Sequence, residues 1–189
     1  MKKKGLIIAV VIIAVVGILL GYGVGTRNKL VAREEEVNEK QAVIATYIQR
    51  RADLIPNFVN TVKGYSDYEK STYTAVTEAR AAVGKASSVS EQQKAAEQLD
   101  SAISVWVNAV TEAYPDLKAD KQYTALMDEL SGSESRISTA RKDYNETVKE
   151  YNTAIRRFPA SIIAGMCGFE KADYFEATAG SDAVPEVKF

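Results

Sequence analysis

The sequence predicts an all-α protein, with an N-terminal single transmembrane helix followed by an elongated antiparallel four-helix bundle and an irregular C-terminal tail. Three observations carry that prediction. The opening MKKKGLIIAVVIIAVVGILLGYGVG sets three lysines before an unbroken apolar run, and the rest of the chain carries apolar residues at helical spacing in four long stretches. Good helix formers dominate, and only four prolines occur, at 56, 115, 159 and 185. With so few breakers, helix is the default state. The pattern divides the chain into 1–27, a tail and anchor; 28–160, a helical bundle; and 161–189, a short apolar helix and an extended tail.

The charge-free run from Gly5 to Gly25 gives about 30 Å of helix, enough to cross a bilayer. A cleaved signal peptide is the rival reading, because the start is basic and the core from Leu6 to Leu20 is short. The run continues past the only small-residue site, Gly21-Tyr22-Gly23, which favours an uncleaved anchor. Arg27, Lys29 and Arg33 follow the span, so the positive residues at its two ends are nearly balanced. A short basic tail before a first span has the form of a signal-anchor, which carries the following domain across the membrane. Gly17, Gly21 and Gly25 recur every four residues, two overlapping GxxxG steps that would let a second helix approach closely. Membrane helices also tolerate glycine for no such purpose, and the pattern leaves the two readings level.

From Leu30 one apolar stripe runs through Val37, Ile44, Ile48, Ile55, Phe58, Val59 and Val62. Arg50 and Arg51 lie beside it, with Asp53 placed for a helix-surface ion pair with Arg50. Pro56 lacks an amide hydrogen and crowds the carbonyl of Ala52, so a bend or restart is expected there, with Asp53 capping the restarted segment. Gly64 supplies a stop, and Ser66 with Glu69 a capping box for a helix carrying Tyr73, Val76, Ala79 and Val83. After Gly84 and the serines at 87, 88 and 90, Ser90 with Gln93 reads as the next cap. The third stripe is Leu99, Ile103, Trp106, Val110 and Ala113, ended by Tyr114-Pro115. The fourth begins near Ala119 and reads Tyr123, Leu126, Leu130, Ile137, Tyr144, Val148, Tyr151, Ile155 and Phe158 until Pro159. Ser131, Gly132 and Ser133 leave its phase intact. None of these helices can shield its apolar face alone, so mutual burial in a bundle follows. Beyond Pro159, a short apolar helix and a tail packing on the bundle are expected.

Chemistry is thinly represented. The sequence has no histidine and one cysteine, which removes the commonest general base and any disulfide framework or multi-cysteine zinc site. The formal net charge of −1, more negative still once the three leading lysines are set aside, disfavours nucleic acid as a partner. Cys167 sits in an apolar segment and reads as an inert buried thiol. Glu34-Glu35-Glu36 point in three directions along a helix and read as a solvated run, not a cation site. No catalytic, cofactor-binding or metal-binding residues are assigned. The most suggestive constellation is Tyr144-Asn145 with Tyr151-Asn152, a spacing of seven that places both pairs on one helix side. They read as residues that set bundle register, or as an interaction surface for a peptide or glycan.

RRADLIPNFVNTVKGY, VTEARA, EAYPDLKADKQYTALMDEL, RKDYNETVKEYNTAIRRFP and the GF…VPEVKF ending, together with the N-terminal span, resemble the LemA family of bacterial membrane proteins over nearly the whole chain. The resemblance implies an anchored helical bundle of the bacterial inner membrane and supplies no catalytic residues to carry over. Tyr68 stands where members often have histidine, which removes one candidate ligand. The expectation is a non-catalytic, single-pass scaffold of the envelope, self-associating as a homo-oligomer in the bilayer and open to other envelope or membrane proteins, its bundle extracytoplasmic. The alternative is an extracytoplasmic binding module for a peptide, lipid or glycan, accessory to a membrane enzyme such as a peptidase.

Overall fold

A computed structural model of the chain describes residues 2–63 and 70–176. The expected stop at Gly64, the Ser66–Glu69 capping box, Tyr68, the side chain of Tyr73 and the ending around Pro185 lie outside the described residues. Among those described there are five α-helices and no strand: α1 (Lys2–Lys63), α2 (Lys70–Val83), α3 (Val89–Ala113), α4 (Lys121–Arg156) and α5 (Ala160–Cys167). A 3-10 segment, Pro115–Ala119, joins α3 to α4. The chain forms two compact units, residues 1–39 with 146–173 and residues 40–145 with 174–189. They cut across the consecutive anchor, bundle and tail of the sequence pattern, because α1 and α4 each contribute to both.

In the larger unit the four expected stripes meet. Ile55, Phe58, Val59 and Val62 of α1 are buried with Val76 and Ala79 of α2, Leu99, Ile103, Trp106 and Val110 of α3, and Tyr123 and Leu130 of α4. Helix directions follow from the pairings. From Arg51 to Phe58 along α1, the α4 partners run backwards from Glu134 to Tyr123, whereas the α3 partners run forwards from Asp100 to Trp106. So α4 is antiparallel to α1, and α3 is parallel to it across the bundle. Phe58 centres the core, edge-on to Trp106 at 4.7 Å and tilted against Tyr123 at 5.4 Å between centroids.

Two boundaries differ from expectation. α1 does not restart at Pro56, which lies inside an unbroken helix, and Asp53 is no cap. Burial of the stripe on either side of Pro56 outweighs the single backbone bond it removes. Asp53 instead accepts from Gln49 Nε2 at 2.9 Å and pairs with Arg80 at 3.6 Å. The cap of α3 is Ser88 with Glu91, not Ser90 with Gln93: Ser88 Oγ accepts from the Glu91 amide, and the Glu91 carboxylate accepts from the Ser88 amide and from Ser87. A carboxylate serves exposed amides better than a carboxamide, and this start leaves Gln92 inward. Backbone amides of Ser87 and Ser88 pull the Glu91 carboxyl down to about 2. Being depressed, that carboxyl stabilises the cap above its ordinary range near 4.5, and the gain is lost as pH falls towards 2. Ser88→Ala should lower the unfolding free energy by about 1 kcal/mol, read in a denaturant titration, whereas Ser90→Ala should change it little. Asp120 caps α4 in the same manner, accepting from the amides of Gln122 and Tyr123.

In the smaller unit the N-terminal part of α1 meets the end of α4 and α5. Leu30 and Val37 are buried with Val148, Tyr151, Ile155 and Ala164. Arg33 pairs with Glu150 at 3.3 Å, and Ile163 lies close beside Gly23, where a Cβ would meet its Cδ1 at 3.6 Å. The fourth stripe ends one turn earlier than its pattern suggests: Phe158, past the end of α4, is exposed. Upstream, every large apolar side chain from Leu6 to Val24 is 47 to 71% exposed. Among the described residues this is the one helix long and apolar enough to cross a membrane.

Candidate functional site

Three positions beside the stripes of the larger unit carry charge into it. Arg51 stands three residues after Ile48 and four before Ile55; Asp100 stands four after Ala96 and three before Ile103, and Glu134 four after Leu130 and three before Ile137. Helical geometry turns all three towards the bundle. The Arg51 guanidinium, 10% exposed, engages Asp100 and Glu134 through one nitrogen, Nη1. Asp100 Oδ1 meets it as an ion pair without a hydrogen-bond direction, and Arg51 Nε is buried with no partner. Burial pushes the Asp100 carboxyl up to about 6; Arg51 opposes that shift, Glu134 adds to it, and Arg141 opposes it more weakly. The Arg141 guanidinium also lies 5.6 Å from the ring centroid of Phe175. Sequence reading placed Arg51 merely beside the stripe. A charged residue one turn from a stripe residue on either side, at i−3/i+4 for Arg51 and at i−4/i+3 for Asp100 and Glu134, is the signal that could find the cluster.

The asparagines, expected as register or interaction residues, bond to the C-terminal segment. In the larger unit Asn145 clasps Phe175 in both directions, Nδ2 donating to its carbonyl at 2.8 Å and Oδ1 accepting from its amide at 2.9 Å. Gln93 accepts from the Glu176 amide at 3.0 Å, and the Phe175 ring lies edge-on to buried Tyr144. In the smaller unit Asn152 makes the equivalent pair with Ala172, both bonds 2.9 Å. Carboxamides two helical turns apart can thus act as backbone mimics for an extended strand. Tyr151 is buried on its stripe and donates to Glu34 at 3.4 Å; burial, then the Glu34 charge, pushes its hydroxyl up to about 12.

The glycines at 17, 21 and 25 have open space where a Cβ would stand, whereas a Cβ on Gly23, on the opposite side, would meet Ile163 at 3.6 Å. Cys167 is exposed, not buried as expected, because α5 turns its apolar end outward. Among the described residues no three acidic or cysteine side chains converge to hold a metal ion. An open cleft of about 500 Å³ in the larger unit is lined by Ile48, Gln49, Arg50 and Asp53 of α1, Val83 and Gly84, and Gln92 and Ala95 of α3.

The helices, one of them long and apolar enough to cross a membrane, define the class: a membrane-associated all-α protein. The LemA family model matches residues 40–189, and the chain belongs to the LemA family. Protein LemA of Metamycoplasma hominis is 26% identical over 169 residues, covering 88% of this chain and 76% of that protein. Magnetosome protein MamQ 2 of Paramagnetospirillum magneticum is 26% identical, and MamQ of Magnetospirillum gryphiswaldense 23%, each over 180 residues. The chain spans 66% of the length of these MamQ proteins, slightly under two thirds.

Proposed function

We infer that the protein is a non-catalytic, single-pass scaffold of the bacterial inner membrane, assembling through the glycine face of its span and presenting its bundle to other envelope proteins. The observation that carries this reading is the single helix Lys2–Lys63, which joins an exposed apolar run to a packed core stripe without a break. Whatever organises the spans therefore organises the domains they carry. The open faces of Gly17, Gly21 and Gly25 are the surface on which such assembly would occur. Gly21→Leu fills that face and should shrink the detergent-extracted particle towards one chain in light scattering. An unchanged size would sink the glycine-face assembly.

This reading sets the bundle on the extracytoplasmic side, an orientation that the order of a short basic stretch followed by the apolar run supports. In a Cys167→Ser background, Lys142→Cys should react with an impermeant maleimide in intact spheroplasts. Protection until lysis would reverse the orientation. A second reading, an accessory module for a peptide, lipid or glycan, draws on the cleft beside Gln92, whose buried Oε1 has no hydrogen-bond partner.

A further inference from the structure

α5 presents an apolar face that its own unit leaves uncovered. Its inner side packs, with Ala164 buried and Ile163 against Gly23. Its outer side carries Ile162 and Met166, four residues apart and 53 and 79% exposed, and Phe158 in the preceding turn is 81% exposed. So much apolar exposure on a short segment calls for a partner.

The position of the segment identifies that partner. The nearness of Ile163 to Gly23 sets α5 beside the last part of the charge-free run, which carries exposed Tyr22 and Val24. Exposed basic side chains adjoin these apolar stretches in sequence: Arg156 and Arg157 directly precede Phe158, and Arg27 and Lys29 follow the charge-free run on α1. The chain then reverses at Gly168, in the left-handed region at φ 76°, and is bound back to α4 by the paired Asn152–Ala172 hydrogen bonds. Only glycine adopts that φ without strain. α5 is therefore the tip of a closed hairpin lying against α1.

We propose that α5 is a second membrane contact, lying in the headgroup–acyl boundary of the leaflet from which α1 emerges. Phe158, Ile162 and Met166 enter the acyl layer, about 5–10 Å deep as for other interfacial helices, while Arg156 and Arg157 reach lipid phosphates. Lipid fits better than a second copy for two reasons. The face adjoins the exposed apolar surface of α1, and its positive border complements phosphate but would repel the same border on a copy. One short helix binds lipid weakly alone, but tethered to a span its insertion is intramolecular. A second anchor point would also set the rotation and tilt of α1 in the bilayer.

The inference rests on the membrane-anchor reading, and the test separates the two. The full chain carrying Cys167→Ser receives one cysteine, as Met166→Cys, Val15→Cys or Glu150→Cys, is labelled with nitrobenzoxadiazole, and is reconstituted in phosphatidylcholine–phosphatidylglycerol vesicles. The label at 166 should lose most of its emission to shallow doxyl-phosphatidylcholine, the label at 15 to a deep doxyl lipid, and the label at 150 to neither. Ile162→Glu should relieve quenching at 166 while leaving quenching at 15 and the helical circular dichroism unchanged. If 15 is quenched by lipid but 166 responds only to aqueous iodide, the proposal is overturned and the anchor stands. If 15 is not quenched, the anchor reading fails as well. Oxidative dimers through the cysteine at 166, without lipid quenching, would assign the face to a second copy and overturn the proposal.

Discussion

Arg51→Ala is expected to lower the unfolding free energy by roughly 3–5 kcal/mol, the range for removing one partner of a buried ion pair. The loss comes less from the contacts removed than from the carboxylates left behind. Arg51 is the largest influence holding Asp100 ionised against its burial, and Glu134 works in the opposite direction. Asp100→Asn should be far milder, because its carboxyl is already pushed up to about 6 and Arg51 keeps Glu134. The two variants also differ in pH dependence. A carboxyl raised from 3.8 to about 6 binds more protons folded than unfolded. Stability contributed by that site therefore falls as pH rises between those values, and the penalty is complete above the upper one. Asp100→Asn should remove this slope, and Arg51→Ala should carry it to higher pH. Denaturant titrations of the detergent-solubilised chain at pH 5 and pH 7.5, followed by Trp106 fluorescence, measure both effects. A loss for Arg51→Ala under about 1 kcal/mol would mean that water screens the cluster as it does a surface pair.

Much of the fold was legible because a buried stripe needs only apolar residues at the right spacing. Leu30, Val37, Ile44, Ile48, Ile55, Phe58, Val59 and Val62 were named from spacing and are all buried. Less legible was what spacing cannot rank. Two overlapping S-x-x-E/Q patterns competed for the α3 cap, and the choice turned on a carboxylate and on which neighbour faced inward. Phe158 and Cys167 look like core by composition, yet an apolar residue beside the end of a span can face lipid as readily as protein. Asn145 and Asn152 were singled out for their spacing, but their partners lie 30 and 20 residues onward in a segment with no periodicity. Arg51, Asp100 and Glu134 could have been grouped only by treating a charged residue at a core-edge position as a member of the stripe.

Phe58→Ala should be comparably damaging, at roughly 3–5 kcal/mol, because truncating a fully packed aromatic loses its transfer free energy and leaves a cavity. Phe58 is 1% exposed, and its ring lies against both the α3 indole of Trp106 and the α4 phenol ring of Tyr123. Three helices meet at its ring, so relaxation of any one cannot refill the space. Phe58→Leu keeps much of the volume but loses the edge-on geometry, and should fall between wild type and alanine. The location gives the prediction a second consequence. Phe58 follows Pro56 by two residues, where α1 lacks the backbone bond to the Ala52 carbonyl. If core burial is what carries the helix through the proline, removing the Phe58 ring should make the amides after Pro56 exchange faster than those before it. Hydrogen–deuterium exchange would resolve this, and equal protection on both sides in Phe58→Ala would show that the helix holds there without the core.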